Sequence, residues 1–249
     1  MRARRPESAS FMRRPSRQRL VLHGAAYSVY TRIVRLVLME KGLSYDLREV
    51  EVFGPGGPPK AYLALHPFGR IPALEHGSMR LYETGAITRY LDAAFPEPPL
   101  LPSSPRRRAR VDQIIGILDS YAYRTMVWDI FVERIRAPVQ GRVPDEARIS
   151  AALPHARTCL EALAALQDGR RFLAGSRLTL ADLHAIPILA YFLTTPEGRA
   201  LMPEFPMLGE WWARVSARPS VTATRSPFEP LARPSNRRPQ AARSAAGAR

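Results

Sequence analysis

Pro72 narrows how this chain can fold more than any other residue, because it interrupts a short apolar run that otherwise reads as a strand. Residues 71–74 and 79–82 flank His76-Gly77-Ser78, and two short runs around such turn chemistry predict a hairpin. A proline inside a strand gives up a ladder donor and is confined to an edge, a bulge or a turn. The backbone groups of its neighbours are then left free for another partner. Directly after the hairpin, Glu83-Thr84 precedes the periodic apolar residues Ala86, Ile87, Tyr90 and Leu91, so a helix is predicted with Thr84 at its start. A helix start offers unpaired amides and positive potential, which suits a carboxylate. Residues 62–84 therefore read as a small-molecule site.

The chain on either side supports a two-part architecture. Residues 20–23, 30–41 and 45–52 read as strand, helix and strand, with Gly42 closing the helix. Ile33, Val34, Val37 and Leu38 form its apolar stripe, and Arg32, Arg35 and Glu40 lie off it. Such a βαβ unit crosses over right-handed between parallel strands. Residues 53–59, rich in Gly and Pro, read as a flexible loop. Five prolines in residues 96–105 predict a linker. Beyond it the pattern is helical: Val111, Ile114, Ile115, Leu118, Ala122, Thr125 and Val132 recur at helical spacing. Ile149, Leu153, Ala156, Leu160 and Leu163 do so again, although Pro154 is expected to break or kink that helix. Cys159 lies near the same stripe and reads as a buried, inert thiol. The helix opened by Thr179 is apolar nearly all round and belongs in the middle of a domain. Asp182, three residues into it, pairs with Thr179 as a capping-box variant, a structural role. Residues 206–217, with Trp211 and Trp212, form a last helix.

Pro67-Phe68-Gly69-Arg70-Ile71-Pro72-Ala73-Leu74 and Leu81-Tyr82-Glu83-Thr84 resemble the glutathione-binding half of the cytosolic glutathione transferases. Ser28-Val29-Tyr30-Thr31-Arg32-Ile33-Val34-Arg35 matches the opening of the first helix in serine-type members, and Leu178-Thr179-Leu180-Ala181-Asp182 matches their helical-domain capping motif. The likeness spans about residues 19–221. It implies a thioredoxin-like βαβ-ββα domain over residues 19–95, then an all-α helical-bundle domain over 106–221. It implies glutathione as co-substrate, with Arg70 on its glycine carboxylate, Ile71 before a cis Pro72 pairing with the cysteinyl backbone, and Glu83 and Thr84 holding the γ-glutamyl ammonium and carboxylate. Val29 and His66 depart from the family's frequent Pro and Asn at those places. The cysteine-based motifs of the isomerase and thiol-transferase classes are missing.

Transfer of glutathione needs a thiolate. Ser28, between a strand and a helix start, is placed to donate to the sulfur, and Tyr27 and Tyr30 are competing donors. Tyr121, Tyr123, Met126, Trp128 and Phe131 crowd the helix after the linker. Of these Tyr123, Met126 and Trp128, together with Tyr30, are the candidates for a pocket taking an apolar electrophile. A non-catalytic scaffold binding a protein or nucleic acid is the competing reading.

One cysteine excludes an internal disulfide, no cluster has metal-ligand spacing, and no Gly-rich phosphate loop precedes a helix. No apolar run reaches the roughly 20 residues of a membrane span, and a cytoplasmic protein is expected. The net charge of +15 belongs mostly to the ends: residues 1–19 carry seven Arg and one Glu, residues 232–249 five Arg and no acid, and the 212 between them +4. Residues 1–18 read as a disordered basic extension, with a transit segment or a start codon assigned too early left open. Residues 222–249 read as a mostly disordered basic tail, beginning in earnest near Pro230. No sequence-specific nucleic-acid partner is implied, and the resemblance implies a homodimer.

Overall fold

The computed structural model describes residues 19–229; the extension over 1–18 and the tail from Pro230 lie outside these residues. A four-stranded sheet of order β2-β1-β3-β4 is built from β1 (Leu20–Gly24), β2 (Tyr45–Glu49), β3 (Ala73–His76) and β4 (Met79–Tyr82). β1 and β2 are parallel, whereas β1/β3 and β3/β4 are antiparallel. β1 is buried along its whole length, as a central strand must be. Between β1 and β2 runs α1 (Val29–Glu40), ended where Gly42 takes a positive φ of 64°. α2 (Lys60–Leu63) is a single turn that the sequence pattern did not announce, and α3 (Thr84–Ala94) follows β4. β2 stops at Glu49 rather than running on to Val52, and beyond it Val50 N–H still bonds Gly24 C=O at 3.1 Å.

The linker is fixed rather than loose. Lys41, fully buried, pairs with Asp92 at 2.7 Å and donates to the Phe95 and Pro98 carbonyls. Asp92 in turn accepts from the amides of Leu100 and Leu101. The helical half comprises α4 (Pro105–Ile117), a π-helical segment (Leu118–Arg136), α5 (Ala137–Val139), α6 (Glu146–Gln167), α7 (Leu180–Phe192), α8 (Pro196–Leu201), α9 (Pro206–Ser216) and α10 (Pro219–Ala223). α7 is buried at every position and packs on α1, so one apolar core runs through both halves.

Four expectations need correction. α6 runs through Pro154 without a break; Ser150, whose carbonyl loses its donor there, is exposed and water can satisfy it. Residues 118–136 are wound as a π-helix, not an ordinary α-helix. Arg32, read as lying off the apolar stripe of α1, is 2% exposed: it pairs with Glu229 and donates to Val221 C=O and Thr224 Oγ1. Residues 222–229 are therefore not a loose tail but a strap seated on α1. Asp182, at the start of α7, accepts from Thr179 N–H, Thr179 Oγ1, Leu173 N–H and Trp211 Nε1, all at 2.8–2.9 Å. Cys159 is buried, and burial pushes its thiol up, away from reactivity.

Candidate active site

The end of β1 sets the position of Ser28. Gly24 packs so closely on α1 that a Cβ there would lie 2.3 Å from Thr31 Oγ1, so the turn into the helix is held tight against the sheet. Ser28 is the N-cap of α1, and its Oγ accepts from Thr31 N–H at 3.2 Å. With its lone pair engaged by the helix, the O–H remains available to donate into a cleft of about 1030 Å³ between the two halves.

The hairpin supplies the opposite side. Gly69, at a φ of 60°, turns the chain ahead of Arg70, and Tyr62 donates to the Arg70 carbonyl at 2.6 Å. Arg70, Ile71 and Pro72 all line the cleft, and the Ile71–Pro72 bond is cis. Neither the N–H nor the C=O of Ile71 is engaged by a described residue. Glu83 and Thr84 line it too, one step from where they were read. Glu83 is the N-cap of α3, without a side-chain cap bond, and Thr84 is the first helical residue. Glu83 holds a φ of 69°, a conformation costing a non-glycine residue about 1–3 kcal/mol. The first turn of α3 thus begins at the cleft with no side-chain cap on its amides.

The helical wall follows the π winding. Asp119, Tyr123, the pairs Val127–Trp128 and Phe131–Val132, and Arg136 line the cleft, one position or pair for each turn of the i→i+5 winding. Tyr123 and Trp128 thus reach the cleft as read from the sequence, and Tyr30 stands beside them, its ring 4.6 Å from that of Tyr123. Met126 does not: it is fully buried in the core, because the winding turns it away from the wall. Tyr121 points outward to solvent.

Of the two competing donors, Tyr27 is engaged elsewhere. Tyr27 donates to Glu51 at 2.9 Å, and burial with that carboxylate pushes its phenol up to about 12. Burial, with Asp119 beside it, pushes the Tyr30 phenol far above its ordinary value. The sequence reading missed Phe53, Asp119 and Arg136, all of which line the cleft. His66, noticed only as a departure, is buried with Nδ1 unpartnered, and burial holds its imidazole pKa below the ordinary value.

The N-terminal domain model of glutathione S-transferases matches residues 22–99, and the C-terminal domain model matches residues 121–219. A glutathione transferase F7 of Populus trichocarpa, solved as a crystal structure, is 30% identical and superposes with a TM-score of 0.72 over 82% of this chain and 97% of that one. The chain belongs to the glutathione S-transferase family. A theta-class glutathione S-transferase of Xanthomonas axonopodis pv. citri, solved with glutathione bound, is likewise 30% identical, with a TM-score of 0.73 and coverages of 83% and 97%. A glutathione S-transferase of Hyoscyamus muticus is 28% identical over 201 residues, 80% of this chain and 94% of that protein. Glutathione transferase activity is the general activity these relatives support, and they give no support to a non-catalytic scaffold. The transferase fold accounts for the two-part architecture, a thioredoxin-like half followed by a helical half. No helix among the described residues is long and apolar enough to cross a membrane.

Proposed function

We propose that the chain conjugates the thiolate of glutathione to an electrophilic, largely apolar small molecule, with Ser28 as hydrogen-bond donor to the sulfur. The observation that carries this reading is the Ser28 hydroxyl at the N-cap of α1, accepting from Thr31 and open to the cleft. A free thiol with a pKa of roughly 8.5 is only a few per cent thiolate at neutral pH. Lowering it by about two units requires about 2.7 kcal/mol of preference for the anion, within reach of one hydrogen bond to a charge plus the potential of a helix start.

In this reading Arg70 takes the glycine carboxylate, the free Ile71 backbone pairs with the cysteinyl unit, Glu83 takes the γ-glutamyl ammonium, and the amide at Thr84 takes the γ-glutamyl carboxylate. The thiol proton leaves to solvent, and sulfur attacks an electrophile held by Tyr30, Tyr123 and Trp128. With an aryl halide, the C–S bond forms and halide departs with the electrons of its bond. The protein works in the cytoplasm as a homodimer in which the thioredoxin-like half of one subunit meets the helical half of the other.

Turnover of a generic aryl halide, together with Ser28→Ala, tests the chemistry. The variant keeps glutathione binding, loses most of kcat, and titrates the ultraviolet band of the bound thiolate at higher pH. An unchanged titration would hand the role to Tyr27, Tyr30 or a backbone amide.

A further inference from the structure

The wall of the cleft carries a cation that glutathione chemistry leaves unused. Arg136 closes the π-helical segment, half-buried, with its guanidinium 4.5 Å from the Phe228 ring and 5.8 Å from the Tyr27 ring. Among the described residues no carboxylate forms an ion pair with it, although arginines around it are paired. Arg134 binds Glu146 and Glu197, Arg148 binds Asp129 and Glu133, and Arg142, also on the cleft, lies 3.7 Å from Glu133. Glu51, the acid nearest Tyr27, accepts from the Tyr27 hydroxyl and from Phe53 N–H. The counter-charge of Arg136 is thus left to a ligand.

Flat rings lead to that cation. Tyr27 lies 5.9 Å from Phe53, and Phe53 lies 6.1 Å from Trp128. Phe53 is 64% exposed, an apolar face open to a ligand. An aromatic body fits such surfaces, and a planar guanidinium braced by two rings presents its paired donors to a carboxylate.

We propose that the electrophile this cleft is built for is an aromatic carboxylate, its ring against Phe53 and Trp128 and its carboxylate on Arg136. This rests on the transferase reading and adds to it the substrate class. Near-neutral apolar electrophiles bind the same rings without the anchor.

A chlorodinitrobenzoate and its methyl ester separate the two claims, measured on the full chain by calorimetric titration and by turnover with glutathione. A hydrogen-bonded charge pair of about 1.4 kcal/mol is a factor of ten, so the acid binds about tenfold more tightly than the ester. Arg136→Gln brings that ratio close to one, and Arg136→Lys leaves part of it. Equal binding of acid and ester by the unaltered protein overturns the proposal without any variant, as does a preference that survives Arg136→Gln. A preference for the acid without turnover of any electrophile keeps the anion site and sinks the transferase reading; turnover without a preference sinks the anion site alone.

Discussion

Asp182 is a carboxyl with no exposed surface in the helical half. Burial pushes its carboxyl above the usual range, and four donors from Leu173, Trp211 and Thr179 oppose that push. Removing the acceptor strands those donors in the core. Each buried unpaired group costs about 1–3 kcal/mol, so Asp182→Ala is expected to lose about 3–5 kcal/mol in urea unfolding. Glutathione affinity of the folded fraction should be retained; its loss at unchanged stability would mark Asp182 as part of the site. Ser28 is the opposite case at the same scale. Its cap bond is worth about 1 kcal/mol, so Ser28→Ala is expected to weaken stability slightly while removing most of kcat.

The π-helical segment decides which of two neighbouring residues serves the core and which the cleft. Met126 and Trp128 are two residues apart, yet one is fully buried and the other is part of the wall. Met126→Ala is predicted to lower stability by about 2–5 kcal/mol, as a core truncation does, with little change in KM for either substrate. Trp128→Ala should do the reverse, raising KM for the electrophile at modest cost in stability. A KM effect from Met126→Ala that exceeds that of Trp128→Ala would refute the assignment. The strap over residues 222–229 is held by the Arg32–Glu229 ion pair together with the Tyr191–Ser226 hydrogen bond and the packing of Phe228 on Phe131 and Tyr191. Glu229→Gln leaves the Arg32 guanidinium buried with neutral partners only, at an expected loss of about 3 kcal/mol read from thermal unfolding.

At the scale of the molecule, both halves share a core and a cleft. A chain trimmed to residues 19–231 keeps Glu229 and carries a formal charge of +5, since Arg19 returns to the +4 of the central part. It is expected to retain dimer mass and turnover while losing salt-sensitive attachment to nucleic acid or anionic membranes. An isologous two-fold pairing closes on itself. Light scattering that finds an active monomer would overturn the dimer, and loss of activity on trimming would show that the ends matter.

The sequence by itself determined what depends on a few neighbouring residues. The hairpin broken by Pro72, the helix starts at Ser28 and near Glu83-Thr84, and the Thr179–Asp182 box are short-range steric and hydrogen-bonding choices. The motif order around them made the family legible, and it placed Ser28, Arg70, Ile71, Pro72, Glu83 and Thr84 on one cleft. Tertiary structure alone decided the rest. Winding by i→i+5 rather than i→i+4 shifts the facing residues by nearly one position per turn, and the apolar pattern does not name the winding, so Met126 was read into the wall and Arg136 was missed. Whether Arg32 is a surface charge or a buried clamp depends on a segment about 190 positions away folding back onto α1, and no local pattern encodes that distance.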